Sequence, residues 1–397
     1  MLAMSGLHLD ALLLLVAVSS IVYLLLALHC VARFRRAAGA GPGPRPPVTV
    51  LKPLCGAEPR LYEGLRSFCV QEGVRQQLVC GVARPDDPAA DVVRRLQAEH
   101  PGLGIELMVD PAVHGTNRKV SSLINMMAVA RHDVIVVSDS DVVAPAWCLA
   151  AVTEAFAEDA VGAVTCPYRG RAEAGLGSVL GALQMNDWYF PSALIAERLG
   201  PVDFCFGPVT AVRRSALESI GGFEALASQV ADDYMLGQQL AAAGWRVKLS
   251  RTVVDAVVAE DVASMARREL RWARTIRATQ PRGQLFSVVT HALPLTAGLA
   301  LLHHAVLAAW LCGATLGLRL ALHRLVARRL GDSRPARPWL LPLRELSCFG
   351  IWLVAYRSRL VEWRGRLYAV SPGGDLEPAD PRAFAPAGRG ASEQVGS

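Results

Sequence analysis

Two apolar stretches bracket a central segment in which short β-branched runs alternate with amphipathic stretches of helical period. Ala11 to Leu28 carries no charged residue, and only His29 interrupts the apolar run as far as Ala32. That length crosses a bilayer. Arg33, Arg35 and Arg36 follow at once, whereas the residues before the run carry only Asp10. The bias of basic residues towards the cytoplasmic side puts the N-terminus outside and the rest of the chain in the cytosol. A cleaved signal peptide would begin with a positively charged segment, unlike this one.

Ala37 to Pro47 is rich in Gly, Ala and Pro and reads as a linker. The alternation then begins. Strands are expected from Val48 to Leu54, Gln77 to Val82 and Ile105 to Val109, with helices at Leu61–Val70, Ala89–Glu99 and Val120–Ala130. The run Val134-Ile-Val-Val-Ser-Asp139-Ser-Asp141 is the fourth strand. This order predicts an α/β domain with a parallel, doubly wound, Rossmann-like sheet. Right-handed crossovers line up the carboxyl ends of such strands along one crevice, where ligands bind.

From Gly283 to Leu318 there is again no Asp, Glu, Lys or Arg. A single crossing there would leave Arg319, Arg324, Arg328, Arg329, Arg334 and Arg337 outside, against the charge bias. A tight hairpin or re-entrant pair, interrupted at Pro294 and His303-His304, returns them to the cytosol. Trp339 to Tyr356 is apolar yet carries Arg344 and Glu345, so it either spans or lies in the interface. The tail after Ser371 reads as disordered. The expected plan is an N-terminal anchor (1–36), a linker (37–47), an α/β domain (48–282), a C-terminal membrane region (283–370) and a tail (371–397).

Composition agrees with a membrane-attached protein. The chain of 397 residues is 52% hydrophobic, and its net charge of +6 comes mostly from Arg beside the apolar ends. That distribution suits anionic headgroups. No basic run is interleaved with aromatics, so no nucleic acid partner is expected. The nine Cys show no CxxC and no metal-ligand spacing, which points to reduced thiols.

Five places carry candidate chemistry, each with a plainer local reading. Asp139 and Asp141 end a strand, where residues two apart share a face. Two convergent carboxylates make a hard-oxygen site for Mg²⁺ or Mn²⁺, although an acidic turn has the same sequence. Asp87, after the second strand, either faces the same crevice or simply caps a helix. Lys119 and its neighbour Arg118, at a helix start behind Gly115, suit an anion or are solvated. Asp233 opens an amphipathic helix, where an acid serves the helix dipole or projects into a crevice as a base. Arg268 and Arg271 are helical neighbours beside Trp272. They could clamp a pyrophosphate and stack a sugar, or mark a basic interfacial helix.

The order Asp87, Asp139-Ser-Asp141, Asp233, Arg268-x-x-Arg271-Trp272 resembles the membrane-bound GT-A glycosyltransferases of the ceramide glucosyltransferase type. Leu51-Lys-Pro-Leu, Asp86-Asp87-Pro88-Ala, Gly244-Trp245-Arg246 and Trp363-Arg364-Gly365-Arg366 extend the resemblance over Val48 to Ala369. Within that group the chain looks most like the bacterial hopanoid-biosynthesis branch. The segments that carry this are Asn117-Arg-Lys-Val-Ser-Ser-Leu-Ile-Asn-Met, Tyr168-Arg-Gly and Glu269-Leu-Arg-Trp-Ala-Arg-Thr-Ile-Arg277.

The resemblance implies an inverting transfer from a UDP-sugar to a membrane-lipid hydroxyl, by a multi-pass inner-membrane protein with its catalytic domain in the cytoplasm. The branch implies N-acetylglucosamine as the sugar and bacteriohopanetetrol as the acceptor. A ceramide or other lipid glucosyltransferase using UDP-glucose is the alternative on the same fold. Asp139 and Asp141 would hold the divalent ion, and Asp87, Lys119, Arg268, Arg271 and Trp272 would bind the substrates. Asp233 would be the base. A processive polysaccharide synthase shares these motifs but needs more spans. A non-catalytic membrane scaffold with a degenerate nucleotide-binding domain would leave gaps in the acidic set, and here every position is filled.

Overall fold

The computed structural model describes residues 2–41, 43–173, 175–302, 305–332, 337–363 and 366–379. A long helix, α1 (Leu2–Arg33), comes first. Strand and helix then alternate: β1 (Val48–Pro53), α2 (Leu61–Cys69), β2 (Gln76–Val82), α3 (Pro88–Glu99), β3 (Gly104–Val109), α4 (Arg118–Met127) and β4 (Val134–Ser138). Next come β5 (Val142–Val143), α5 (Cys148–Glu154), β6 (Val161–Thr165), β7 (Tyr168–Ala172), α6 (Gly175–Gln184) and α7 (Phe190–Leu199). The domain closes with β8 (Val209–Arg213), α8 (Arg214–Ser219), α9 (Asp232–Ala242), β9 (Arg246–Leu249), β10 (Val254–Val258) and α10 (Val262–Thr279). Helices α11 (Pro281–Phe286), α12 (Ala292–Leu302), α13 (Ala305–Leu330) and α14 (Leu341–Ala355) follow, then β11 (Leu360–Trp363), β12 (Arg366–Val370) and β13 (Leu376–Pro378).

The central sheet has the order β3-β2-β1-β4-β8-β6-β9. Strands β1 to β4 are parallel, as the alternation predicts. The sheet is nevertheless mixed, because β8 runs antiparallel to both β4 and β6. Hydrophobic pattern reports burial on two faces, not direction. All five residues of β4 and the first four of β8 are buried, so nothing in their composition separates the two cases.

Along β4 the side chains alternate between two cores. Val134 and Val136 pack with Leu65 and Phe68 of α2 and Val93 of α3. Ile135 and Val137 pack on the other face with Val120 and Leu123 of α4 and with α1. Leu24, Ala27 and Val31 of α1 are fully buried, so this helix is docked on the domain rather than hung from a loose tether. Its other side exposes Leu15 and Val22.

Among the described residues, Leu14–Arg33 is the one helical stretch long and apolar enough to cross a membrane. The expected C-terminal hairpin takes the form of two helices, α12 and α13, that pack on each other and on α1. His303 and His304, its expected interruption, lie outside the described residues, as does Arg334. Arg319 is fully buried within α13. Its guanidinium donates to Glu345 of α14 and to the Thr290 carbonyl. Arg344 is equally buried, and pairs with Glu269 of α10.

The tail is ordered further than its composition suggests. Leu376–Pro378 adds a strand to β12, and the backbones of Gly374 and Leu376 bond to Val230 and Ser228. Buried Leu376 packs with Val361, Tyr368, Val370 and Val230, which offsets the ordering of this short segment. Residues 380–397, the rest of the expected disordered tail, lie outside the described residues.

Candidate active site

Three strands of the parallel half deliver side chains to one sheet edge. Lys52 is on β1, Asp87 follows β2, and Asp139 follows β4. Asp139 and Asp141 do not share a strand face, because β4 ends at Ser138 and both acids lie in the turn before β5. They remain close enough to feel each other. Burial pushes the Asp141 carboxyl up to about 7, and the negative charges of Asp139 and Glu58 add to that, against Lys52.

Lys52 is the buried counterweight, unexpected in so apolar a strand. Its ammonium donates to Ser138 Oγ at 2.9 Å and to the Asp139 carbonyl at 2.7 Å. It also lies 3.9 Å from the centre of the Phe68 ring. Burial lowers its pKa to about 8, opposed by Asp139 and Asp141. Lys52 thus fixes the backbone at the point where the acidic turn begins.

Asn117 and Lys119 come from the start of α4. Asn117 caps the helix by accepting from Val120 N, and its amide donates to Gln229 O and Asp232 Oδ1. Lys119 Nζ lies 2.7 Å from Asp139 Oδ1 and 3.3 Å from Asp232 Oδ2. Burial opposes its charge, but Asp139, Asp232 and Asp233 outweigh it and raise its pKa.

Asp232 and Asp233 open α9, in the loop region that β13 pins from outside. Asp233 Oδ1 accepts from Tyr234 N at 2.8 Å. Burial raises its carboxyl to about 6, with Asp232 adding and Lys119 opposing. Gly207 fixes the spacing of the group. A Cβ there would lie 2.8 Å from Asp139 Oδ2, 3.4 Å from Asp233 Oδ2 and 3.6 Å from Lys119 Nζ. The two acids and the ammonium therefore converge on one glycine. Lys119, Phe206, Gly207, Phe223, Asp232 and Asp233 line a small cavity there.

The α10 residues divide. Arg268 donates to Glu260 Oε2 at 3.0 Å and lies 4.3 Å from the Trp272 ring centre, so its fork is already occupied. One of its buried nitrogens, Nη1, has no acceptor. Arg271 makes no ion pair within 4 Å among the described residues. Burial and the neighbouring Arg268 lower its pKa, while Asp232 and Asp233 act in the opposite direction. Trp272 packs on Tyr189, with ring centres 5.5 Å apart. Asp87 takes the plainer of its two readings in this geometry. It accepts from Ala89 N as the cap of α3 and from Gly56 N after β1, both at 2.9 Å.

The structure thus brings Lys119, Asp139 and Asp233 together, with Asp141 and Arg271 within electrostatic reach. Lys52, Gly207 and Asp232 are further members that the motif reading assigned no role. For Lys52, the signal was a charged residue inside a β-branched strand. No group of three or more His, Cys, Asp or Glu among the described residues could hold a metal alone. Asp139 and Asp141 fit a hard divalent cation only if a ligand's oxygens and water complete the shell.

Residues 12–376 match the model of Glycosyl transferase family 21. Ceramide glucosyltransferase 1 of Caenorhabditis elegans is 26% identical over 239 residues, which is 59% of this chain and 51% of that protein. The chain thus spans about half the length of that relative. Ceramide glucosyltransferase 3 of the same animal is 23% identical over 352 residues, covering 84% of this chain and 74% of that protein. Among solved structures, the fold is similar to that of a mannosyltransferase from Pyrobaculum calidifontis, solved with GDP-Man and Mn²⁺. The TM-score is 0.56 at 21% identity, over 88% of this chain and 99% of that one.

Proposed function

The chain belongs to glycosyl transferase family 21, and on that premise we propose that it moves a sugar from a UDP-sugar to a hydroxyl of a membrane lipid. The observation that carries this reading is the convergence of Asp139, Asp233 and Lys119 on Gly207 at the carboxyl edge of the sheet. Asp233 is the base. Its carboxyl is half-buried, and desolvation pushes it up to about 6, so at neutral pH it is ionised and can take the proton of the attacking lipid hydroxyl. One base and one direct displacement give inversion, so an α-linked donor yields a β-glycoside.

Asp139 and Asp141 would hold Mg²⁺ or Mn²⁺ against the donor's diphosphate. The mannosyltransferase of similar fold was solved in complex with GDP-Man and Mn²⁺, which supports a divalent ion. Such an ion, when bound, supplies Lewis-acid charge to the leaving diphosphate. Lys119 and Arg271 add fixed positive charge on the same side, and Arg268 stands behind them on Glu260. Asp87 keeps the loop at Gly56 in place and retains a lone pair for a donor N–H of the nucleoside. Trp272 and Tyr189 offer an aromatic wall for the sugar.

Helices α1 and α13 support a multi-pass arrangement on the cytoplasmic side of the inner membrane. Arg36 donates to the Leu330 carbonyl and Arg329 to the Ala32 carbonyl, so the basic ends of the two helices meet at one level. A hairpin of α12 and α13 entering the bilayer alongside α1 satisfies the charge bias at both ends. The acceptor can then stay in the bilayer while its hydroxyl reaches Asp233.

The curated relatives carry ceramide glucosyltransferase in their names, which favours glucose and a ceramide-like acceptor. N-acetylglucosamine and bacteriohopanetetrol rest on the segments at 117–126, 168–170 and 269–277 alone. The test is to reconstitute the full chain in nanodiscs with ceramide or bacteriohopanetetrol, then add labelled UDP-glucose or UDP-N-acetylglucosamine. Mass spectrometry of the lipid identifies donor and acceptor together. UDP binding without sugar transfer to any lipid would instead make the protein a scaffold.

A further inference from the structure

The meeting point of α1 and α13 is also a site in its own right. Arg35, Arg36, Arg328, Arg329 and Gly331 line an open cleft of about 340 Å³. Two of the arginines build its floor. Arg36 Nη1 donates to Leu330 O at 2.8 Å, and Arg329 donates to Ala32 O, so each helix's arginine caps the carbonyl end of the other. Gly331 makes room for this exchange. It sits at φ +68°, and a Cβ on it would lie 2.5 Å from Arg36 Nη1.

Capping leaves donors unused. Arg329 Nε is buried with no acceptor. Arg35 and Arg328 are exposed, and neither side chain makes a hydrogen bond or ion pair among the described residues. The nearby Arg169 is neutralised by Asp255, its guanidinium nitrogen 2.6 Å from the carboxylate, and it donates to the Gly331 carbonyl. A buried N–H without a partner costs on the order of 1–3 kcal/mol, and four guanidiniums around one cleft repel one another. A tetrahedral anion with several acceptor oxygens relieves both, and arginine forks match a phosphate two bonds at a time.

We infer that this cleft binds the phosphate of an anionic phospholipid. The source of the phosphate follows from position. Arg35 lies two residues beyond the end of a helix able to span the bilayer, which is headgroup level. The bound lipid would bridge α1 to α13 and hold the C-terminal helices against the anchor. The inference does not depend on sugar transfer, and its readout is lipid retention.

The test uses the full chain in a neutral detergent, exposed to vesicles of phosphatidylglycerol and phosphatidylcholine and examined by native mass spectrometry. The wild type should retain phosphatidylglycerol in preference to phosphatidylcholine. Arg35→Gln with Arg328→Gln should weaken that retention roughly tenfold or more, and the Lys pair should fall between. The glutamine pair removes no hydrogen bond of the fold, so its elution volume and melting temperature should match the wild type. Equal retention by the glutamine pair, or no preference for the anionic lipid, overturns the inference. A parallel arm adds inorganic phosphate. If that alone displaces the lipid and binds in its absence, the ligand is a soluble phosphate and the lipid assignment fails.

Discussion

Lys119 and Asp139 meet at 2.7 Å although they come from different layers, the ammonium from the first turn of α4 and the carboxylate from the turn after β4. The contact is a tie across the mouth of the site. Lys119 also reaches Asp232, so one side chain holds the acidic turn against the start of α9. A cation held by Asp139 would compete with the ammonium for the same carboxylate.

Asp233→Asn should remove the base and leave donor binding intact. The amide keeps the shape and accepts from Tyr234 N as the acid does. Turnover should fall about 10²–10⁴-fold, the usual worth of a placed base, with UDP affinity within a few-fold of wild type. Steady-state rates alongside calorimetric UDP titration check this, and normal turnover in the variant would remove Asp233 from the mechanism. In the wild type the rate should decline as pH drops through about 6, because the protonated acid cannot accept the hydroxyl proton.

Gly207→Ala tests the convergence itself. Gly207 needs no positive φ, so the backbone accepts alanine. The added methyl would stand 2.8 Å from Asp139 Oδ2 and force that carboxylate aside. Activity should drop at least about tenfold with little change in melting temperature, since the neighbour that moves is a side chain at the edge of a cavity. Metal-dependent UDP binding should weaken in parallel. Unchanged kinetics would mean that Asp139 and Asp233 do not work across this glycine.

How much of this the sequence could disclose follows from what periodicity reports. Runs such as Val134–Ser138 announce burial, so β1 to β4 and the helices between them fall within a few residues of their expected bounds. The reversed direction of β8 leaves no trace in composition. The acids and Lys119 were legible from their motifs, but other members of the site were not. Lys52 hides in an apolar strand, and Gly207 sits in an irregular segment with no period. Glu260 lies eight residues before Arg268, yet occupies the fork that the motif offered to a phosphate. Leu376–Pro378 reads as tail because its order comes from pairing with β12 and from bonds to the distant Ser228–Val230 loop, not from its own composition.

Arg344 and Glu269 should prove energetically coupled. Both are at most 4% exposed, and their ion pair joins α14 to the helix that carries Arg271. Arg344→Met leaves the Glu269 carboxylate in the interior with only Arg268, 3.9 Å away, to balance it, which costs up to about 3–5 kcal/mol. Adding Glu269→Gln should recover a large part of that loss, because the orphaned charge is gone. Chemical unfolding of the two single variants and the double variant in one detergent gives the coupling. Additive losses would show that the pair does not bind the C-terminal helices to the domain.

The proposed base should burden the fold, and the burden should follow pH. Burial lifts Asp233 from an ordinary 3.8 to about 6, so the folded state holds its proton more tightly than the unfolded chain does. The stability that this proton confers is complete below about pH 4, where both states are protonated, and is lost as pH rises through about 6. Above that, the folded protein carries a desolvated carboxylate that the unfolded chain keeps in water. Asp233→Asn removes the ionisation. The variant's melting temperature, measured against wild type across this range, should therefore exceed it at pH 7–8, and the gap should close towards pH 4. A constant difference across that range would mean that Asp233 ionises as freely inside the site as outside it, and that the cavity around Gly207 is wetter than its geometry implies.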